Sequence, residues 1–196
     1  MKCLVVIAHP QQNSLCSHLA KEIIQCLSNR GVDITEENLY QQNFDPVLSK
    51  TERDSYYADA YHYQAVESSI NRLLAAEYLV LVFPTWWFGF PAILKGWFDR
   101  VWAPGFAYDH ASDYGPITPK LNNLKKVLVV TTFGAPWWVD KLVLWQPVKR
   151  VVKYALLGAC ARKAKLTFLP LYKCESVDSG RVNKFVLKIK KVLNQW

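Results

Sequence analysis

Residues 78–108 read YLVLVFPTWWFGFPAILKGWFDRVWAPGFAY, and this stretch decides the fold. Its first six residues are an uninterrupted apolar run, as expected of a strand buried on both faces of a sheet. Pro84 ends the run. Thr85 to Gly89 then place two tryptophans and a phenylalanine in a short turn, and Pro91 restarts the chain at the first position of a helix. That helix carries Ile93, Leu94, Trp97, Phe98 and Val101 at three- and four-residue spacing, so one face is buried. Gly96 lies between them and allows another element to approach closely. An aromatic turn at the carboxyl end of a central strand is where open α/β sheets place ligands. It offers a flat apolar wall and several backbone N–H groups to a planar heterocycle.

Working outward, the pattern of strand and helix repeats. Residues 3–8 (CLVVIA) form a first buried strand, followed by a helix from near Ser14 with Leu15, Leu19, Ile23, Ile24 and Leu27 on one face, stopped by Gly31. The intervening turn, His9-Pro10-Gln11-Gln12-Asn13, enters that helix with Asn13 or Ser14 as cap. A helix amino terminus with free N–H groups suits an anion. The glycines of a GxGxxG or P-loop signature are absent, which disfavours a Rossmann dinucleotide site or a nucleotide triphosphatase.

Residues 32–39 read as a more polar strand near a sheet edge. Ser49-Lys50-Thr51-Glu52 is a capping box opening a short helix, and residues 62–76 carry Val66, Ile70, Leu73 and Leu74 as a second helical stripe. Residues 108–123 have no period and read as a surface loop. Residues 126–132 form a fourth strand, closed by a second aromatic turn, Phe133-Gly134-Ala135-Pro136-Trp137-Trp138. A helix from near Pro147 turns Val148, Val151, Val152, Ala155 and Leu156 inward. Residues 164–170 form the fifth strand, and a lysine-rich helix capped by Asp178 or Ser179 ends the sequence.

Five alternations without repeats or linkers predict one domain over residues 1–196: an α/β three-layer sandwich around a five-stranded parallel sheet of order 2-1-3-4-5, the flavodoxin-like arrangement. The turns after the first and third strands then meet at the point where the strand order reverses.

Composition sets the remaining bounds. The net charge of +8 has its densest group at Lys184, Lys188, Lys190 and Lys191, opposite an apolar helix stripe, which reads as a solvated face rather than a nucleic-acid surface. Five cysteines show neither a CxxC pair nor zinc spacing, so no metal site is expected, and reduced thiols fit a cytoplasmic location. The uncharged run 78–94 is broken by Pro84, Gly89 and Pro91, so no membrane insertion is expected. Cys16 near a helix amino terminus invites a lowered pKa, but an inert core thiol is the commoner case.

Several blocks resemble one family. They are Ala8-His9-Pro10 with Ser14 following, residues 43–49 (NFDPVLS), the run from Phe83 to Val101 with Gly105-Phe106-Ala107-Tyr108 after it, and Thr131-Thr132-x-Gly134. Together they resemble the flavodoxin-like NAD(P)H:quinone oxidoreductases, the group that includes DT-diaphorase and the bacterial modulator-of-drug-activity-type enzymes. The resemblance implies a flavin, FAD or FMN, with its phosphates at His9, Ser14, Leu15 and Cys16. Its ring would lie against Pro84, Thr85, Trp86, Trp87 and Phe88, with Thr131, Thr132, Phe133, Gly134 and Ala135 closing the other side. It also implies NADH or NADPH as co-substrate, two-electron hydride transfer to a quinone in the same pocket by a ping-pong mechanism, and a homodimer whose subunits both line each pocket. No side chain is implied as a catalytic acid, base or nucleophile, because hydride passes through the flavin.

The sequence departs from the mammalian pattern after residue 134. There is no histidine beyond His110, and Trp137 and Trp138 become candidates for a substrate pocket or a dimer interface. Other readings from different classes are an ancillary regulatory subunit docked peripherally on a glutathione-gated potassium efflux system, and a flavodoxin-type electron carrier. The basic pI of about 9.2 argues against the carrier.

Overall fold

The computed structural model describes residues 1–58, 60–111 and 115–196. Five parallel strands, β1 (Lys2–Ile7), β2 (Asp33–Asn38), β3 (Tyr78–Pro84), β6 (Lys126–Thr132) and β7 (Lys165–Leu171), form a sheet in the order β2-β1-β3-β6-β7. Counting only these five, this is the 2-1-3-4-5 order expected. The two-residue strands β4 (Tyr108–Asp109) and β5 (Thr118–Pro119) pair antiparallel outside it. The register runs Val5 beside Val80 and Val80 beside Leu128, which stacks the apolar runs of three consecutive strands at the centre.

Those runs are buried on both faces because helices cover both. Leu4, Val6, Leu79, Leu81, Val127 and Val129 face a core shared with α3 (Glu67–Ala75) and α4 (Ala92–Val101). Cys3, Val5, Ile7, Val80, Val82, Leu128 and Val130 face the opposite core, shared with α1 (Leu15–Ser28) and α7 (Ser179–Leu193). β2, with only Glu37 fully buried, is the polar edge expected.

Local chemistry explains the boundaries. Ser14 caps α1 by accepting the Ser17 N–H, Gly31 closes it at φ +69°, and Asp178 rather than Ser179 caps α7. Ser49 and Glu52 form the reciprocal capping box of α2 (Lys50–Asp54). Gly96 is a contact site: a Cβ there would lie 2.1 Å from the Pro46 carbonyl oxygen. The NFDPVLS segment is therefore laid directly on α4.

Four expectations need correction. Pro91 is the N-cap of α4, with φ −54° and ψ 145°, rather than its first residue. The helix expected over 62–76 begins only at Glu67, after a 3-10 turn at Gln64–Val66. The 108–123 stretch holds β4, β5 and the buried Leu121, with residues 112–114 outside the described residues.

The crossover between β6 and β7 departs most. After α5 (Pro147–Arg150) it is π-helical over Val151–Leu157 before α6 (Gly158–Cys160). The wider turn shifts the inward positions to Val148, Val152, Leu157 and Cys160, and leaves Val151 and Ala155 exposed. Sequence periodicity of 3.6 does not anticipate that slip.

Candidate functional site

Three turns at the carboxyl ends of the adjacent strands β1, β3 and β6 carry nearly all the residues singled out from the sequence. The first is the His9–Ser14 turn. His9 Nδ1 lies 3.0 Å from the Gln11 N–H and 3.2 Å from the Gln11 carbonyl oxygen, so this nitrogen is engaged by the turn itself and Nε2 is left to face outward partners. Burial lowers the His9 pKa, against a smaller opposing effect of the Gln11 carbonyl. Ser14 satisfies the Ser17 N–H at 3.1 Å, while the N–H groups of Leu15 and Cys16 meet no acceptor among the described residues. An anion-ready helix end is thus present. The Cys16 thiol is buried under it, 3.5 Å from Thr132 Oγ1, and burial pushes its pKa up to about 11. Cys16 therefore presents its backbone N–H, not a nucleophile.

The second turn follows β3. Gly89 N–H donates to the Trp86 carbonyl at 2.9 Å and Trp86 N–H to the Gly89 carbonyl at 3.3 Å, making a two-residue hairpin with Trp87 and Phe88 at its tip. Both tip residues have positive φ, +50° and +54°. These are the φ signs of a type I′ turn, a place for Asn or Gly. Holding two aromatic residues there costs about 1–3 kcal/mol each, and strain of this kind collects at ligand clamps. Their N–H groups have no acceptor among the described residues, and the Trp87 side chain is 101% exposed. Trp86 lies toward His9, with ring centroids 6.4 Å apart, and Phe88 toward Phe133, at 6.1 Å.

The third turn follows β6. Thr85 N–H donates to the Thr132 carbonyl at 2.8 Å, and the Thr85 and Thr131 hydroxyls are 2.7 Å apart, so the second and third turns share one frame. Phe133 is held by β7, donating its N–H to the Leu171 carbonyl, and the N–H groups of Gly134 and Ala135 are without an acceptor among the described residues. Trp137 and Trp138 come next, both about half exposed, with Lys141 Nζ 5.9 Å from the Trp137 ring centroid.

Sequence reasoning missed Tyr172 and Asp140. The Tyr172 ring packs on Phe133, centroids 5.0 Å apart, and its hydroxyl donates to Asp140 Oδ2 at 2.6 Å. Burial and the Asp140 carboxylate both raise the Tyr172 pKa, so the hydroxyl stays a donor. Position alone was the available signal: Tyr172 directly follows β7, on the same edge as the three turns. Tyr56, Tyr57, Tyr61 and Tyr63 are not part of this site. With Phe106 and His110 they line an open concavity of about 1180 Å3 that shares no residue with the three turns.

Fold and turns together define a class: the chain belongs to the family described as having the flavodoxin-like fold, whose family model matches residues 1–194. Among named relatives, rat NAD(P)H dehydrogenase [quinone] 1 is 34% identical over 152 residues, which cover 68% of this chain and 54% of the rat protein. The uncharacterized NAD(P)H oxidoreductase YcaK of Escherichia coli K12 is 43% identical over 105 residues, 53% of this chain and 54% of YcaK. The chain spans about half the length of the curated relatives it matches. Among solved structures, an NAD(P)H:quinone oxidoreductase from Methanothermobacter marburgensis superposes with a TM-score of 0.82 at 25% identity, covering 98% of this chain and 94% of that one.

Proposed function

We propose that this chain is an NAD(P)H dehydrogenase (quinone) that works with a bound flavin, FAD or FMN. The observation that carries this reading is the convergence of unsatisfied N–H groups from three adjacent turns around exposed aromatic side chains. That donor set fits a flat, anionic, phosphate-bearing ligand. When bound, the flavin would supply hydride transfer between a nicotinamide and a quinone or related electron-poor aromatic.

The chain's own residues then have separable roles. Leu15 and Cys16 N–H groups, the Ser14 cap and the His9 ring hold phosphate. Pro84, Thr85 and the Trp86-Trp87-Phe88 tip make one wall, and Thr131, Thr132, Phe133, Gly134 and Ala135 the other. The N–H groups of Trp87, Phe88, Gly134 and Ala135 are preorganised to stabilise negative charge at the edge of a planar ring. Trp137 and Trp138 border the open side, where nicotinamide and quinone would bind in turn and where bulk water is displaced. No protein acid, base or nucleophile is required. The same reading takes residues 1–196 as one flavin-binding domain, acting as a homodimer in the cytoplasm. An active monomer in sedimentation would remove the dimer from it. No helix among the described residues is long and apolar enough to cross a membrane.

The visible spectrum of the purified protein after incubation with FMN or FAD tests the reading. A yellow protein that NADPH bleaches under anaerobic conditions, and benzoquinone restores, is the expected result. Replacing Trp87 and Phe88 together by alanine should lower flavin content about tenfold or more, the scale of one or two lost aromatic contacts. Protein that stays colourless with both flavins would overturn it.

A further inference from the structure

The third turn is braced from behind by the residues at the end of β7. Phe133 N–H donates to the Leu171 carbonyl at 2.8 Å, Cys174 N–H to the Phe133 carbonyl at 2.9 Å and Lys173 N–H to the Ala135 carbonyl at 3.2 Å. Lys173 reaches this arrangement in the left-handed conformation, φ +53° and ψ +50°, which favours glycine. The cover is close: a Cβ at Gly134 would lie 3.0 Å from Glu175 Oε1. The brace occupies the carbonyls of Phe133 and Ala135. It leaves the N–H groups of Gly134 and Ala135 without an acceptor among the described residues.

Tyr172 fixes this brace at its root. Its ring packs on Phe133, whose own ring is 6.1 Å from Phe88, so three aromatic rings run in file from the tip of the second turn to the end of β7. A phenylalanine at 172 would complete that file equally well. The hydroxyl adds something else, donating to Asp140 Oδ2 at 2.6 Å, and Asp140 is only 1% exposed. Burying a carboxylate to that depth is costly unless a strong donor meets it. The Tyr172 carbonyl is held in turn from α7, accepting from Arg181 Nη2 at 2.8 Å. Ring, hydroxyl and carbonyl are thus each tied to a different element, directly behind the two free N–H groups.

We propose that Tyr172, locked by Asp140, is a positioning residue of the flavin site. It holds the Phe133-Gly134-Ala135 turn so that the Gly134 and Ala135 N–H groups meet the edge of the ring where negative charge collects on reduction. Tyr172 itself touches no reacting atom and moves no proton. This role rests on the function proposed above, whereas the mechanical link from hydroxyl to turn does not.

Tyr172→Phe, Asp140→Ala and Asp140→Asn separate position from charge. In flavin-free protein, amide exchange at Lys173 and Cys174 should accelerate on the order of tenfold in Tyr172→Phe and Asp140→Ala. It should stay near the parent rate in Asp140→Asn, whose amide oxygen still accepts from the hydroxyl. With FMN or FAD bound, the first two variants should hold the reduced form about tenfold less tightly relative to the oxidised form, a fall of about 30 mV in the two-electron midpoint potential. Combining Tyr172→Phe with Asp140→Ala should lower it no further, since both remove the same bond. If Asp140→Ala fails to fold, Tyr172→Phe against Asp140→Asn carries the test. Parent exchange rates at Lys173 and Cys174 in Tyr172→Phe would overturn the proposal. So would a potential that rises in Asp140→Asn while Tyr172→Phe keeps the parent value, because the carboxylate's charge would then act on the ring without the turn. A parent that stays colourless with both flavins removes the flavin reading and this role with it. A yellow parent whose potential Tyr172→Phe leaves unmoved overturns this inference alone.

Discussion

Two regions flank the candidate site and are built on opposite terms. Where α4 meets residues 43–56, the seam is closed. Arg100 is buried, donates through Nε to Glu52 at 2.8 Å and through NH1 to the Asp45 carbonyl, while Glu52 is held by the α2 capping box. Tyr56 and Tyr61 donate to the carbonyls of Asp99 and Arg100, and Gly96 admits Pro46 without a gap. From Trp137 to Tyr154 the terms are reversed, with apolar side chains outside, two π-helical segments and two left-handed residues in succession. The closed seam spends its polar groups on fixing a backbone. The open region leaves its apolar groups for contact with something else.

Arg100→Met should give the largest effect. It leaves the buried Glu52 carboxylate without its cation, at a cost of about 3–5 kcal/mol in urea unfolding. The pH dependence sharpens this. Burial pushes the Glu52 carboxyl upward, but the Ser49 and Arg100 hydrogen bonds outweigh it and hold the pKa below the ordinary value. The pair's contribution is therefore complete above about pH 4.3 and is lost as pH falls through the folded-state value. The parent should lose stability along that acid limb, and Arg100→Met should show a flatter one. Coincident acid limbs would mean the seam is not held by this pair.

Gly96→Ala comes next. The added methyl meets backbone at 2.1 Å, so either α4 or the 43–49 segment must move. A loss of about 3 kcal/mol is expected, at the upper end for overpacking. Unchanged stability would show that the seam can open, and would erase the contrast with residues 137–154.

Much of the closed half was legible in the sequence, because its signals are local and periodic. Strands β1, β3 and β6 are unbroken apolar runs, the capping box is a four-residue pattern, and Gly96 interrupts a helix stripe where only a close approach explains it. The three turns were legible as positions at strand ends. Their geometry was not, since nothing in Trp87-Phe88 announces positive φ, where Asn-Gly would have done so. In the open half, a 3.6-residue period assigned Val151 and Ala155 to the core, and the π-helical turns moved them to solvent. Asp140 and Tyr172 meet across 32 residues, a pairing no local pattern encodes.

That pair is the open region's anchor, so Tyr172→Phe probes how firmly the region is held. Removing the hydroxyl leaves the buried Asp140 oxygen unpaired, at a cost of about 1–3 kcal/mol. Amide exchange at Gln146, whose N–H is bound to the Asp140 carbonyl, should accelerate more than exchange in α4. Equal acceleration in both would show that the two regions unfold as one unit and that the anchor is not local.

The smallest expected effect discriminates between a strained surface and a merely exposed one. Gln146 holds φ +54° without being glycine, and its side chain accepts from Lys149 Nζ at 3.2 Å and interacts with the Tyr172 hydroxyl. Gln146→Gly relieves the left-handed penalty, about 1 kcal/mol, and gives up the side-chain contacts with Lys149 and Tyr172, together worth about as much. Against stability also runs the added freedom of glycine in the unfolded chain, about 0.4–1 kcal/mol. The net change in the urea midpoint should therefore be near zero or a loss of about 1 kcal/mol, small beside the losses in the closed seam. A destabilisation as large as that of Gly96→Ala would mean that the Trp145–Gln146 turn is held by side-chain packing. The exposed tip would then be part of the core rather than a surface presented outward.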